Sequence, residues 1–581
     1  MKVLSHVTSF KGKFGRLFIM KSRLFLVLFL LLSVSCLSYA RFSQAETRAS
    51  SSSQPVHNLN THLNYTTIQE AIDANETLNG QTILVGEGTY YENVVVNKAL
   101  SLVGENRNTT IVDGGNLDTV VKIAVDGVSL SELTIQNSGS QWTHDFGVDL
   151  TSRKNSRIDN CTIRNHGYSV YAAYAQNNTI ANNIITNASS YPLMIQSGAR
   201  NNIVINNTIS GSPEGVHIED SSDSNLVAYN SISSIGYEGI YVLASNSNTI
   251  VNNEISSSGH GVPGLTYPGI TLRDSSNNTV ANNIILNCTG GVMAHSIHND
   301  ARAMYDVIEN NTIRNCDYAI ILWHEEGSIA THHQVIGNTL ENNGYGLYLI
   351  GVKNNTVTHN NFIKNSKGQV VAENSTNTWD DGYPSGGNYW SDYKGVDMST
   401  GIYQNETGSD GIGDTPCTID TNNTDDYPLM GTFYSFTIIN FPPPSNQSLT
   451  IISNSSVTSV SYLLARPPLW GLGPDLPLII VSVAGGSGAD YFCRLILPRT
   501  IFLNSSTYTV FVDSQPVNAS VLLPISNSTQ VYLYITYTNS ALQIAVTIPE
   551  FLSFQILIIF MTATILAAIV YKRKHTLDLR P

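Results

Sequence analysis

Residues 177–363 repeat one short pattern of polar and apolar positions. The unit is Asn-Asn-Thr-Ile, then Asn-Asn-x-Ile, then a strand that usually begins with Gly, as in the copies that start at 177 and 277. The period is roughly 20–30 residues, which is typical of a solenoid. Each unit contains short strands rich in β-branched residues and no run of helical length. One unit cannot bury its apolar face alone, so the pattern predicts an all-β, right-handed parallel β-helix whose stacked coils share one core.

Asparagine and glycine fill the turns between the predicted strands. Asparagine tolerates left-handed backbone and hydrogen-bonds within its own turn, so it suits a sharp bend. Stacked side-chain amides can also form ladders, as they do in cross-β structures. The repeat therefore predicts asparagine turns that lie above one another along the solenoid.

The Gly-led strands predict one face of the solenoid. Their second and fourth positions are apolar and should point inward, so the third should point outward. Because neighbouring coils are about 4.8 Å apart, outward positions form columns. The first column reads Asp149, Tyr171, Met194, His217, Tyr241, Thr271, Met293, Ile321 and Tyr348. A second column, two residues later, contains Gln196, Glu219, Arg273, His295 and Trp323, and beside it come Asp220, Asp274 and His324.

This face supports three alternative functions. In an enzyme, a glycoside hydrolase or polysaccharide lyase, Glu219, Asp220 and Asp274 would supply acid and base, with support from Arg273. Glycoside hydrolysis needs carboxylates roughly 5–10 Å apart, and Glu219 and Asp274 are expected two coils apart. In a polysaccharide-binding module, aromatic and histidine side chains would hold the glycan without chemistry. These are Tyr171, His217, Tyr241, His295, Trp323, His324 and Tyr348. A structural shaft in the cell envelope needs neither, and binding or a structural role is the preferred interpretation.

Composition narrows the class of partner. Only 13% of residues are charged and the formal net charge is −14, which argues against nucleic acid. Five cysteines lie outside the leader region, Cys161, Cys288, Cys316, Cys417 and Cys493, without a Cys-x-x-Cys motif. Cys288 and Cys316 occupy equivalent repeat positions, so a bridge between them stays open alongside buried free thiols.

The two ends of the chain predict export and anchoring. Residues 1–45 combine a basic start with an apolar run and small residues, which predicts a signal peptide, with an uncleaved anchor as the alternative. Residues 46–64 are predicted to be a flexible linker. Residues 551–571 predict a transmembrane helix and 572–581 a basic cytoplasmic tail. The protein is thus expected to be a single-pass protein of the cell membrane with most of the chain outside.

Three folded segments lie between these ends. Residues 65–365 are predicted to form the β-helix, with a short capping helix near 67–72. Residues 366–433 are predicted to form a C-terminal cap. Residues 434–547 contain short alternating strands after a proline-rich break, which predicts a small β-sandwich.

Several motifs resemble those of known families. Residues 88–96 and 100–105 resemble the first coils of pectin-lyase-like β-helix proteins. The segments 377–382, 387–393, 410–416 and 425–429 resemble the tail of the NosD-type family, and the whole resemblance spans 66–430. The predicted β-sandwich, residues 434–547, and the C-terminal segment are similar to those of membrane-anchored archaeal surface proteins. Large aromatic side chains of the NosD-type tail would cover the C-terminal end of the core: Trp379, Tyr389, Trp390 and Tyr393.

Two metals follow as hypotheses from these residues. The tail offers the hard oxygen ligands that Ca²⁺ prefers, and its Asp-Gly-Ile-Gly-Asp segment resembles a calcium loop without the full ligand spacing. The candidate ligands are Asp392, Asp397, Asp410, Asp414 and Asp426. The NosD-type resemblance implies copper, for which soft and borderline ligands are available. These are Met194, Met293, His217, His295, His298, His324, His332 and His333. No dense His/Met motif exists, so copper is the least favoured alternative.

Overall fold

The computed structural model describes residues 55–140, 144–259, 266–298, 301–438, 447–465, 476–484, 491–499, 508–513, 515–517, 520–521, 529–538 and 541–547. The predicted leader, transmembrane helix and tail lie outside these residues. In the part of the chain that is described, no helix is long and apolar enough to cross a membrane.

Up to residue 390 the chain forms a parallel β-helix of three sheets, which confirms the predicted solenoid. Each coil adds one short strand to each sheet, and the coils stack in register; Ile180, for example, lies opposite Val204. The first sheet contains Val56–Asn58, Leu63–Tyr65, Thr82–Val85, Ser101–Gly104, Ser129–Ser131, Arg157–Asp159, Thr179–Ala181, Ile203–Ile205, Leu226–Ala228, Thr249–Val251, Thr279–Ala281, Arg302–Met304, Val307–Glu309, Ile329–Thr331, Gln334–Ile336, Lys353–Thr358 and Thr376–Thr378. The second sheet contains Gly88–Tyr91, Thr110–Asp113, Thr134–Gln136, Thr162–Arg164, Ile184–Thr186, Thr208–Ser212, Ser231–Ile235, Glu254–Ser258, Ile284–Leu286, Thr312–Arg314, Thr339–Glu341, Asn361–Ile363 and Tyr389–Trp390. The third sheet contains Val94–Val96, Val121–Ile123, Phe146–Asp149, Tyr168–Ala173, Tyr191–Gln196, Val216–Glu219, Ile240–Leu243, Pro268–Arg273, Gly290–Ser296, Tyr318–His324, Tyr345–Ile350 and Gly368–Glu373.

The asparagines of the repeat form the predicted ladders inside the turns. Asn253 is typical: its main-chain N–H and its side-chain amide both donate to Asn283 Oδ1, at 2.9 and 3.0 Å. Asn283 in turn donates to Asn311 Oδ1 of the next coil, and all three side chains are buried. A buried polar turn is costly unless its groups are paired, and the ladder pairs them from coil to coil. The repeat is therefore a requirement of the turns as much as of the apolar core.

The N-terminal end of the solenoid is closed by one short helix, α1, Ile68–Asp73. The Thr67 hydroxyl caps α1 by accepting from the Glu70 N–H. The Glu92 carboxylate accepts from the main-chain N–H groups of Ile68 and Gln69, the first two residues of α1. The flexible linker predicted at 46–64 is wrong from residue 56 onward, since Val56–Asn58 pairs antiparallel with Leu63–Tyr65 and with 83–85. This pairing covers a strand edge that would otherwise be exposed.

The C-terminal end of the solenoid lies later than the predicted boundary at residue 365. Strands of all three sheets continue to Tyr389–Trp390, so the first part of the predicted cap is one more coil. Trp390 stacks on Phe362 with ring centroids 4.5 Å apart, and Trp379 is also buried. These side chains cover the end of the core, as predicted for the aromatic residues of this segment.

Residues 432–547 contain two five-stranded antiparallel sheets, which confirms the predicted β-sandwich. One sheet contains Thr432–Ile438, Gln447–Ser453, Tyr491–Pro498, Ser520–Val521 and Gln530–Tyr537, and the other contains Ser456–Ala465, Leu476–Ala484, Thr509–Val512, Gln515–Val517 and Ala541–Thr547. The sandwich packs on the cap through apolar side chains that include Phe433 and Ile412. Two hydrogen bonds between Asn361 and the Phe433 main chain join it directly to the last coils. Two small hairpins, Ser399–Thr400 with Glu406–Thr407 and Cys417–Asp420 with Asn423–Asp425, complete the cap.

Candidate functional site

The outward-facing side chains of the third sheet, here called the outer face, follow the predicted columns. Every residue of the first column lies opposite its neighbours in the column, from Asp149 against Tyr171 to Ile321 against Tyr348. The second column is also confirmed, with Leu243 between Glu219 and Arg273. The outer face is therefore a strip of aromatic, acidic and histidine side chains that is interrupted by Met194, Leu243, Thr271, Met293 and Ile321.

His217 forms the centre of the outer face. Its Nδ1 lies 2.6 Å from Glu214 Oε2 and its Nε2 lies 3.1 Å from Glu219 Oε2. The rings of Tyr191 and Tyr241 pack edge-on against the imidazole, with centroids 4.9 Å away on each side. Burial alone would lower the pKa of His217, but the hydrogen bonds and charges of the two glutamates outweigh it and raise the pKa to about 9. His217 is thus an imidazolium at neutral pH, held between two carboxylates.

Glu238 is a carboxyl group that was not among the predicted site residues. It lies in the turn before the strand Ile240–Leu243, one coil beyond Glu214. Burial and the charge of Glu214 raise the pKa of Glu238 to about 7. At neutral pH a large fraction of this carboxyl group therefore holds its proton, close to Glu214, which pairs with His217.

Arg273 and Asp274 lie at the end of a third-sheet strand. Arg273 Nη1 donates to Tyr241 Oη at 3.2 Å, and its Nε lies 3.8 Å from Asp274 Oδ2. Asp274 accepts from the Ser296 hydroxyl and the 297 main-chain N–H and contacts His298 Nδ1 at 2.5 Å. Burial would raise the pKa of Asp274, but these hydrogen bonds outweigh it and lower the pKa. Asp274 is fixed as an anion and is a poor acid.

A cleft of about 500 Å³ lies beside this centre, at the edge between the third and first sheets. It brings together the three predicted carboxylates Glu219, Asp220 and Asp274. The rest of its lining is Leu243, Ala244, His298, Ala301 and Arg302. Asp220 and Asp274 both have left-handed backbone, with φ of 58° and 50°, so they also serve as turn residues. The three predicted carboxylates therefore do lie at one cleft, although two of them, Asp220 and Asp274, also form turns.

Aromatic side chains gather on both sides of the charged centre. Tyr171 stacks on Phe146 with centroids 4.1 Å apart, and Tyr168 contacts both rings edge-on. Toward the C-terminal end, Tyr348 packs against two further tyrosines and donates to Glu373 Oε1 at 3.4 Å. The residues three positions before the first column had not been predicted for the site: Phe146, Tyr168, Tyr191, Glu214, Glu238, Tyr318 and Tyr345. They contact the outward-facing side chains, but strict alternation would have placed an odd offset on the inward side and so could not have found them.

The remaining predicted binding residues, His295, Trp323 and His324, differ in whether their side chains are available to contact a ligand. His295 stacks on Trp323 with centroids 5.1 Å apart, and burial together with the charge of Arg273 lowers the pKa of His295 to about 4. Trp323 Nε1 donates to Met293 Sδ at 3.4 Å, which fixes the indole on the face. Both ring nitrogens of His324 lie near main-chain carbonyl oxygens of residues 325 and 351. His324 therefore acts in the local structure more than as a contact for a ligand.

A second, larger cleft of about 760 Å³ lies at the N-terminal end of the same sheet. Its lining includes Asp118, Lys122, Asp149 and Arg153, with Tyr171 along one side. The predicted face placed only Asp149 and Tyr171 here, because Lys122 and Arg153 belong to coils before the clear repeat begins. The strip thus has mixed charge at this end and an acidic centre.

The predicted calcium ligands are used within their own turns. Asp397 accepts from the 410 and 411 main-chain N–H groups, and Asp414 accepts from those of 398 and 399. Asp410 accepts from Thr400 and from the 412 main-chain N–H. Burial raises the pKa of Asp397 to about 7, outweighing its hydrogen bonds. Asp392 and Asp426 complete the predicted set, but the geometry does not favour calcium.

The predicted copper ligands are also spread over separate contacts. His217 pairs with glutamates, His298 with Asp274, and His333 Nδ1 lies 3.3 Å from Asp306 in the core. Within the described ranges, no group of three or more His, Cys, Asp or Glu side chains could hold a metal ion. These residues do not fit a copper centre. The five cysteines are free thiols in the structure, so no disulfide supports the fold there.

The fold and this site define a parallel β-helix protein that presents an aromatic and acidic strip on one sheet. Residues 264–395 match the family model described as periplasmic copper-binding protein (NosD), and residues 116–262 match the right-handed β-helix region. The chain is therefore a right-handed β-helix protein with a NosD-type segment, as the sequence motifs indicated. Over 104 residues it is 34% identical to a cell surface glycoprotein of Methanothermus fervidus. That match covers 14% of this chain and only 18% of the relative.

Two solved structures share the architecture at low identity. The catalytic domain of a GH87 alpha-1,3-glucanase in complex with nigerose has a TM-score of 0.46 and 15% identity, covering 60% of this chain and 70% of that chain. The A-module of the Azotobacter vinelandii mannuronan C-5 epimerase AlgE4 has a TM-score of 0.40 and 15% identity, covering 54% of this chain and 92% of that chain. With TM-scores below 0.5, neither likeness carries an argument about activity.

Proposed function

We propose that the protein binds polysaccharide on the outer face of its third sheet. The observation that carries this proposal is the pair of tyrosine rings against His217, with further aromatic clusters along the same face, next to an open cleft of about 500 Å³. Aromatic rings stack on the apolar faces of sugars, while the carboxylates and the Arg273 guanidinium offer hydrogen bonds to hydroxyl groups.

The charge of the strip favours an uncharged polysaccharide. Around the cleft, three carboxylates, those of Glu219, Asp220 and Asp274, outnumber the one guanidinium, that of Arg302. The positive charge of His217 is already paired with two glutamates. A polyanion such as a uronate polymer would meet like charge in this region, which costs binding energy. Neutral hexose polymers are therefore the expected ligands.

The test is a binding screen of the purified protein against neutral and anionic polysaccharides. Trp323→Ala and Tyr348→Ala should each weaken binding about tenfold, because a stacked ring contributes roughly 1–1.5 kcal/mol. Tyr91→Ala is the matched control, since Tyr91 is 77% exposed but lies on the second sheet. Preference for anionic polymers, or equal losses in all three variants, would refute the proposal.

A hydrolytic activity on the same ligand is the second candidate, and Glu238 is the observation that favours it. A carboxyl group with a pKa of about 7 can donate a proton at neutral pH, while ionised carboxylates nearby can act as base or nucleophile. Glu219 has one carboxylate oxygen engaged, by His217, whereas both oxygens of Asp274 accept hydrogen bonds, so Glu219 is the preferred candidate for that second role. New reducing ends after incubation, lost in Glu238→Gln, would support catalysis; binding without product would leave a binding module.

We also propose that the protein resides at the cell surface and is anchored by residues 551–571. The similarity to a cell surface glycoprotein and the apolar run near the C-terminus support this proposal. The full chain should fractionate with membranes and require detergent for extraction. A chain ending at residue 547 should appear in the soluble extracellular fraction, and its retention in membranes would contradict the anchor.

A further inference from the structure

The solenoid repeat contains an N-glycosylation motif, Asn-x-Ser/Thr, at the same structural position in several coils. In an Asn-Asn-Thr unit the first asparagine occupies the turn, the second enters the buried ladder, and the threonine begins the next strand. The motif asparagine of five such units is exposed and has left-handed backbone, with φ between 54° and 59°. These five, here called the corner asparagines, are Asn177, Asn206, Asn277, Asn310 and Asn354.

The structure separates acceptor and non-acceptor amides within each unit. Asn278, next to the corner residue Asn277, is 0% exposed and donates its side-chain amide to Asp306 and to the 245 carbonyl. Thr279, the third residue of the motif, is only partly buried at the start of a strand. An enzyme can therefore reach the Asn277 amide and the Thr279 hydroxyl, whereas the ladder amide is inside the protein.

The corner asparagines lie along two edges of the solenoid. Asn177 and Asn277 lie between the third and first sheets, and Asn354 lies on the same edge as the second residue of the first-sheet strand Lys353–Thr358. Asn206 and Asn310 lie between the first and second sheets. Four coil steps separate the first pair on each edge, about 19 Å at the usual strand spacing, and three steps, about 14 Å, separate Asn277 from Asn354. This spacing leaves room for bulky groups on each of them.

We propose that the five corner asparagines carry N-linked saccharides. In the modification, the asparagine amide nitrogen bonds to the anomeric carbon of a saccharide linked to phosphate. The carbon–oxygen bond to phosphate breaks, the electron pair leaves with the phosphate, and the amide nitrogen loses one proton. None of the five asparagines lies on a third-sheet strand, so the saccharides flank the outer face without replacing its side chains. This proposal does not depend on polysaccharide binding.

Asn160 provides an internal control for exposure. It begins the same motif, Asn160-Cys161-Thr162, and it also occupies a left-handed turn, with φ of 50°. Its side-chain oxygen, however, accepts from Arg107 Nη1 and its side-chain nitrogen donates to Glu132. With both amide atoms engaged and the residue half-buried, Asn160 should not be modified in the folded chain.

The experiment is glycopeptide mass spectrometry on the full-length protein purified from its own cells. The expected result is an added saccharide mass on peptides containing the five corner asparagines, with the Asn160 peptide at its unmodified mass. Unmodified corner asparagines would overturn the proposal. Equal occupancy of Asn160 would also overturn it, because the motif alone would then decide modification.

Variants at one site exclude a peptide that is simply missed. Thr279→Val should remove one saccharide mass from the protein, and Thr279→Ser should retain it because serine keeps the motif. Asn277→Asp repeats the test with a residue that tolerates the left-handed turn but has no amide to modify. If Thr279→Val and Asn277→Asp differ in total mass from the unsubstituted protein only by the change of side chain, Asn277 carries no saccharide and the proposal fails.

Discussion

Replacing one ladder asparagine should destabilise the solenoid far more than replacing its exposed neighbour. Asn283 is the informative position, because it lies in the middle of the ladder and is fully buried. Its Oδ1 accepts from the main-chain N–H and the side-chain amide of Asn253, and its Nδ2 donates to the Ile250 carbonyl and to Asn311 Oδ1. Asn283→Ala removes these four hydrogen bonds together.

The cost follows from what each partner retains. The Asn253 side-chain amide still donates to the carbonyls of Val227 and Val251, so it is not orphaned. The buried Asn253 main-chain N–H loses its acceptor, and an orphaned buried donor costs roughly 1–3 kcal/mol. The three other lost bonds contribute about 0.5–1 kcal/mol each. Asn283→Ala should therefore lower the free energy of local unfolding by about 2.5–6 kcal/mol.

Hydrogen exchange followed by mass spectrometry measures this loss locally. Since about 1.4 kcal/mol corresponds to a tenfold change, amides in peptides covering 250–255 and 280–286 should exchange at least about 60-fold faster. Asn282→Gly is the matched control, because residue 282 has φ of 57° and glycine adopts this conformation freely. If Asn283→Ala changes exchange no more than Asn282→Gly does, the ladder does not stabilise the turns and the reasoning fails.

Two further predictions concern charge and the end of the core. Because the pKa of His217 is raised from 6.5 to about 9 in the folded protein, its stabilising contribution is complete below pH 6.5 and is lost as the pH rises toward 9. The urea midpoint should fall across this window, and His217→Gln should show a smaller fall; identical slopes would contradict the assignment. Trp390→Ala should lower the stability of the last coils by about 3–5 kcal/mol, because it empties the space against Phe362. Exchange should rise at 338–365 and stay unchanged at 179–205, since coils interact mainly with their neighbours; a uniform rise would refute this locality.

The architecture could be predicted because a repeat supplies the same information many times. A single Asn-Asn-Thr-Ile segment fits several structures, but copies at a regular period fix the strand register, and the register places Tyr171, His217 and Tyr241 in one column. The ends were predicted less well for the same reason. Residues 56–65 and 366–390 do not show the repeat clearly, yet the chain adds strands there because exposed sheet edges need partners.

The chemistry of the outer face depends on contacts that no column predicts. His217 and His295 both appear in the two predicted columns as solvent-facing imidazoles. In the structure, two carboxylates raise the pKa of one, whereas burial and Arg273 lower the pKa of the other. The two carboxylates that act on His217 are close to it in sequence, at positions 214 and 219, whereas Arg273 reaches His295 from the preceding coil. Only the structure shows which of these groups contacts each ring.

The contacts in the structure also decide which carboxyl group of the outer face is the best acid. The sequence pattern offered Glu219, Asp220 and Asp274 together as acid and base, and the structure does place all three at one cleft. Three hydrogen bonds hold Asp274 as an anion, while Glu238, one residue before a Gly-led strand, holds a proton near neutral pH. An acid requires burial next to like charge, which only the stacking of successive coils creates. The spacing of residues can therefore predict where carboxylates gather, and the packing around each of them decides which one can give up a proton.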